Sequence, residues 1–157
     1  MKKILFVCMG NICRSAAAEA VLKKYIADKG LKDEYFVDSA GVIGCHVGES
    51  ADRRMIAAAA ERGYVVDSIA RRVSSQDFDR FDKVIAMDNS NVSDLRTLCR
   101  TYEHNTKLCK LTDFSSAKFF EKYKMTEVPD PYYGGADGFT LVLDMLEDAM
   151  PQILARV

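Results

Sequence analysis

The stretch Lys2-Lys3-Ile4-Leu5-Phe6-Val7-Cys8-Met9-Gly10-Asn11-Ile12-Cys13-Arg14-Ser15 decides the fold. Ile4 to Val7 are apolar in a row, as in a strand buried on both faces. From Ser15 the period changes. Ala18, Val21, Leu22, Tyr25 and Ile26 mark one face of a helix that Gly30 stops. The two lysines, the apolar run and Ala16 to Ala18 imitate an export signal, but Asn11 and Arg14 interrupt the run before the small residues. It reads as a first strand.

Working outward, Tyr35 to Val37 predicts a second strand that runs into a turn at Ser39-Ala40-Gly41. Ser50 can cap a helix over 51–62 that Gly63 closes. Lys83 to Met87 is a third strand, and Asp88 to Ser90 can cap a helix carrying Val92, Leu95 and Leu98. Lys107 to Leu111 is a weaker strand. A last helix starts near Phe139, with Val142, Leu143, Leu146, Met150 and Ile153 on one side, and Pro151 is expected to kink or restart it. Strands and helices alternate, which predicts an α/β fold with a parallel sheet and helices on both faces. Ligands in such sheets bind beyond the strand ends, where the strand order reverses. No repeat or linker divides residues 1–157, so one domain is expected.

The chain carries 22 Lys plus Arg against 23 Asp plus Glu, a balance that argues against a nucleic-acid binder or a polybasic membrane tail. No apolar run approaches the ~18 residues of a membrane span. The five cysteines, Cys8, Cys13, Cys45, Cys99 and Cys109, are odd in number and follow no secreted-framework spacing. Reduced thiols in the cytoplasm are expected. His46 and His104 are the only histidines, with no ligand spacing around them, so no metal site is expected.

The loop Cys8 to Ser15 is the place for chemistry. Gly10 and Asn11 tolerate left-handed backbone, which lets successive N–H groups turn inward as an anion nest. The following helix N-terminus adds partial positive charge there, and Arg14 can offer a planar fork to two phosphate oxygens. A cysteine facing that field is a candidate thiolate nucleophile. Farther on, Pro129 and Pro131 hold Asp130 out of a helix, where a carboxyl can act as a general acid. Tyr132 and Tyr133 could flank an aromatic ring.

With these residues in hand, the chain resembles the low molecular weight protein tyrosine phosphatases. The likeness rests on VCMGNICRS at 7–15, VDSAG at 37–41, MDNSN at 87–91 and DPYYG at 130–134. The resemblance implies a flavodoxin-like four-stranded parallel sheet and a phosphatase without cofactor or metal. It implies that Cys8 takes the phosphoryl group, Arg14 stabilises its oxygens and Asp130 protonates the leaving phenolate. The amides of Met9, Gly10, Asn11, Ile12, Cys13, Arg14 and Ser15 would hold the phosphate. Ser15 would donate to the Cys8 sulfur, and Asn11 with Ser39 would pin the loop. Cys13 would be a reversible disulfide partner of Cys8.

The implied partners are phosphotyrosine proteins, with inorganic phosphate and vanadate as competitors, in a monomer or weak oligomer. The family's usual proline is Ala16 here, and its bulky substrate-wall residue is Cys45. Tyr132 and Tyr133 would complete that wall. The competing reading is a thiol-dependent arsenate reductase, which needs two further cysteines as a relay; only Cys99 and Cys109 could serve. A non-catalytic phosphate-binding module would not need Cys8, Arg14 and Asp130 together.

Overall fold

Ile4, Phe6 and Cys8 belong to one buried cluster while Leu5 and Val7 belong to another, because successive side chains of a strand point to opposite faces. Strand β1 (Lys2–Cys8) is therefore central, which is why its sequence is apolar without alternation. This is seen in a computed structural model, which describes residues 1–131 and 135–157. β1 pairs in parallel with β2 (Tyr35–Gly41) on one side and β3 (Lys83–Ala86) on the other. β4 (Leu108–Lys110) extends β3, giving the order β2-β1-β3-β4. The architecture is the α/β fold expected, a four-stranded parallel sheet with flanking helices. The order reverses between β1 and β3, so the ends at Cys8, Gly41 and Ala86 frame the crevice.

Helix α1 (Arg14–Asp28) follows β1 and α2 (Arg53–Ala60) follows β2; with the last helix they cover one face. On the other face lie α3 (Ser75–Arg80) and α4 (Asn89–Arg96), which bury Phe78 and Leu95. Two short helices, α5 (Tyr102–Lys107) and α6 (Ala117–Tyr123), and a 3-10 turn at Leu111–Phe114 complete the connections. The last helix, α7, spans Ala136–Arg156. Among the described residues no helix is long and apolar enough to cross a membrane.

Several local expectations are corrected. The expected turn Ser39-Ala40-Gly41 is the last part of β2, paired with Phe6, Val7 and Cys8. Its small residues serve close packing rather than chain reversal. Helix α2 starts at Arg53 because Asp52, not Ser50, is its cap: the Asp52 side chain accepts from the Arg54 amide, while Ser50 is bridged to Ile69. Asp88 caps α4 as expected, but Leu98 lies beyond its end. Helix α7 begins before Phe139 and continues through Pro151 as one element. The missing N–H costs one helical bond, and burial of Leu146, Met150 and Ile153 on one side offsets it.

Candidate active site

The loop from β1 to α1 is shaped by one residue in left-handed backbone, Asn11, at φ 59°. Its side chain is almost wholly buried, and each of its hydrogen bonds has a direction that can be worked out. The Arg71 backbone N–H can only donate, and it lies 3.0 Å from Asn11 Oδ1. That fixes the amide orientation, so Nδ2 spends one hydrogen on Ser15 Oγ and the other on Ser39 Oγ, both at 2.9 Å. Ser39 then donates to the buried carboxylate of Glu19 at 2.7 Å. Ser15 has one hydroxyl proton left. Its nearest partner is the Cys8 sulfur at 3.0 Å, against 3.4 Å to the Ala40 carbonyl. The hydroxyl can donate to either, and to the sulfur once that is a thiolate with no proton of its own.

Arg14 opens α1 and is 2% exposed, a position no arginine keeps without partners. Its Nη1 donates to Asp88 Oδ2 at 2.7 Å and to the Val128 carbonyl at 3.0 Å. Its Nη2 stands 3.6 Å from Asp130 Oδ2. Burial works against the guanidinium charge, yet the charges of Cys8, Asp130 and Asp88 and the Asp88 hydrogen bond hold its pKa above the ordinary value. Cys13, at the N-cap of α1, makes no side-chain cap bond, so the first-turn amides of the helix are not claimed by a cap. Burial first, and then the charges of Cys8, Asp52 and Asp130, push the Cys13 thiol up, with Arg14 pulling the other way. It is a neutral thiol at ordinary pH.

These groups meet in a cavity of about 170 Å³. Cys8 and Arg14 lie on its wall, as do Met9, Gly10, Ile12 and Cys13, with Asp130 beside them. Cys45 and His46 line the same cavity from the loop after β2. Tyr132 and Tyr133 lie outside the described residues. Among the described residues, no group of three or more His, Cys, Asp and Glu side chains is placed to hold a metal ion. Cys99 and Cys109 are not on the cavity wall. Cys99 bonds the Leu95 carbonyl and Cys109 the Val84 carbonyl, and burial raises both pKa values, that of Cys109 to about 12.

Residues 3–157 match the family model for low molecular weight phosphotyrosine protein phosphatase. The chain belongs to that family. A low molecular weight protein-tyrosine-phosphatase of Streptomyces coelicolor is 42% identical over 155 residues, covering 99% of this chain and 93% of its own. The human low molecular weight phosphotyrosine protein phosphatase is 35% identical over 141 residues, 90% of this chain and 86% of its own. A crystal structure of the protein tyrosine phosphatase from Entamoeba histolytica, with Hepes in its active site, superposes with a TM-score of 0.92 at 48% identity. It covers 99% of this chain and 96% of the other.

Several residues of this phosphatase that hold the cavity are missed by sequence reasoning. Asp88 reads as a helix cap, and one oxygen does cap α4, but the other anchors Arg14. Glu19 looks like polar surface of α1, yet it is buried and ends the Asn11 chain of bonds. Asp77 reads as part of a charged face; it is buried and takes a two-pronged bond from Arg71, whose backbone pins Asn11. Gly41 carries a different signal. A Cβ there would sit 2.9 to 3.0 Å from backbone atoms of Met9, Gly10 and Asn11. Gly41→Ala should shift the loop, costing about 1–3 kcal/mol of stability by overpacking. It should also lower kcat/KM for an aryl phosphate by roughly tenfold to a hundredfold, since small misplacements of reacting groups cost that much. Thermal melting and steady-state kinetics check both. Unchanged values would mean the loop tolerates displacement.

Proposed function

We propose that the phosphatase hydrolyses phosphotyrosine in proteins by two in-line transfers through Cys8. In the first, the Cys8 thiolate attacks phosphorus, the bond from phosphorus to the phenolic oxygen breaks, and Asp130 gives its proton to that oxygen. In the second, water attacks the phosphocysteine, the Asp130 carboxylate takes a proton from the water, and the sulfur leaves as thiolate with inorganic phosphate. Arg14 presents the donors not spent on Asp88 and Val128 to two phosphoryl oxygens. The amides of Met9 to Ser15 take the remaining oxygens, and these fixed donors stabilise the charge of the transition state. Asn11 and Ser39 keep the loop in that shape.

The observation that carries this reading is the Ser15 hydroxyl, 3.0 Å from the Cys8 sulfur and held in place by the hydrogen bond that Asn11 donates to its oxygen. A hydroxyl at that distance can donate to the sulfur as it leaves as thiolate in the second step. An arsenate reductase relay draws no support from Cys99 and Cys109, which lie off the cavity wall where Cys8 stands. Cys13 suits a protective role: after a peroxide converts Cys8 to a sulfenic acid, the Cys13 sulfur can displace water from it to form a disulfide. Neither transfer uses a metal or cofactor. The setting proposed is the cytoplasm, with the protein a monomer or weak oligomer.

Hydrolysis of p-nitrophenyl phosphate tests the reading. It should proceed in the presence of a metal chelator, with vanadate and inorganic phosphate competing with substrate. Inhibition that is not competitive would place the anion site away from Cys8.

A further inference from the structure

Ten large apolar side chains are exposed among the described residues, and their distribution is uneven. Met9, Ile43, Val47 and Ile69, between 38% and 57% exposed, lie on three segments joined to one another beside the cavity. The Ile43 amide donates to the Met9 carbonyl at 2.9 Å. The Gly48 amide donates to the Ala70 carbonyl, and the Ala70 amide returns a bond to Glu49, both at 2.9 Å. Ser50 bridges Ile69 directly. Met9 and Ile43 also line the cavity, so the apolar rim is continuous with the place where the phosphoryl group is held. Grouped exposed apolar residues of this kind mark interaction surfaces.

We infer that this rim docks the polypeptide on either side of the phosphotyrosine, and that it selects aliphatic rather than acidic neighbours. The inference rests on the phosphatase reading and deepens it. Two charged groups of the rim pair with each other. His46 and Glu49 are satisfied by each other, Nδ1 to Oε2 at 2.9 Å. Arg72 lays its aliphatic stem near Gly44, its Cδ 3.6 Å from where a Cβ would stand. The surface on offer is aliphatic and half-open, which suits a leucine or isoleucine side chain laid against it.

Three phosphotyrosyl pentapeptides test this, identical except for leucine, serine or glutamate on both sides of the phosphotyrosine. The leucine peptide should exceed the serine peptide in kcat/KM by on the order of tenfold, what burying about two methylene groups is worth. The glutamate peptide should do no better than the serine peptide. The double variant Val47→Asn with Ile69→Asn removes apolar surface without adding charge. It should shrink the leucine advantage to about twofold or less while p-nitrophenyl phosphate kinetics stay unchanged. Equal rates for leucine and serine peptides, or a preference for glutamate, would overturn the inference. So would concentration-dependent dimerisation in sedimentation that the double variant abolishes, since a second copy would then occupy the rim. If p-nitrophenyl phosphate is not hydrolysed, the phosphatase reading fails by itself. Calorimetric titration of the same peptides into Cys8→Ser still compares their docking without turnover.

Discussion

Cys8→Ser should lower turnover of aryl phosphates by ~10⁵-fold or more, the scale of removing a nucleophile from a site whose parts act as a unit. The hydroxyl of serine stays protonated at neutral pH and is a far weaker nucleophile than a thiolate. The fold should survive, because Cys8 ends β1 with its backbone fully engaged: the residue pairs with Gly41, and its carbonyl accepts from the Val42 amide at 3.0 Å. Anion binding should survive too, since its donors are loop amides and Arg14 rather than the sulfur. Calorimetric titration with phosphate and a turnover assay on one preparation separate the two effects. Turnover near the wild-type rate would remove Cys8 from the chemistry; lost phosphate binding with intact melting would make the sulfur part of the anion site.

Asp130→Ala should show a loss that depends on the leaving group. General acid catalysis is typically worth ~10²–10⁴-fold, and that full loss is expected for phenyl phosphate, whose phenolate is basic. For p-nitrophenyl phosphate the first step should lose much less, because the acidic phenol leaves without a proton. Asp130 also stands 3.6 Å from Arg14 Nη2, so a purely structural role has a distinct signature. A misplaced guanidinium would weaken phosphate binding and depress every substrate alike. A flat loss across a series of substituted phenyl phosphates would assign Asp130 to holding Arg14.

The sequence is most informative where physical demands are local. A buried central strand has to be apolar throughout, so Ile4 to Val7 reveal the middle of the sheet. The change of period at Ser15 reveals α1, and Asp88 before Ser90 and Asn91 reveals a cap. Cys8, Arg14 and Asp130 are each unusual in local context, and all three converge on one cavity. What the chain does not disclose locally are roles that depend on distant partners. Glu19 and Asp77 carry the charges of surface residues, and only the approach of Ser39 and Arg71 makes them buried anchors.

Val128 acts through its carbonyl, a group that every residue has. Gly41 resembles a turn glycine until the loop packed over it is known. Helices α5 and α6 are too short for an apolar period to appear, and α6 has no fully buried residue, only Phe119 packed partly against the core. Ser50 and Asp52 are both good caps in isolation; the choice falls to Asp52 because the Ile69 segment already holds Ser50.

The central claim is that the phosphoryl group passes through the Cys8 sulfur. Rapid acid quench of the Asp130→Ala variant during turnover of p-nitrophenyl phosphate tests it most directly, because loss of the base slows the second step more than the first. Mass spectrometry of the peptide containing residues 4–14 should then show one added phosphoryl group on Cys8. The same peptide without added mass, under conditions where p-nitrophenol is released and the quench preserves a phosphocysteine standard, would contradict the account.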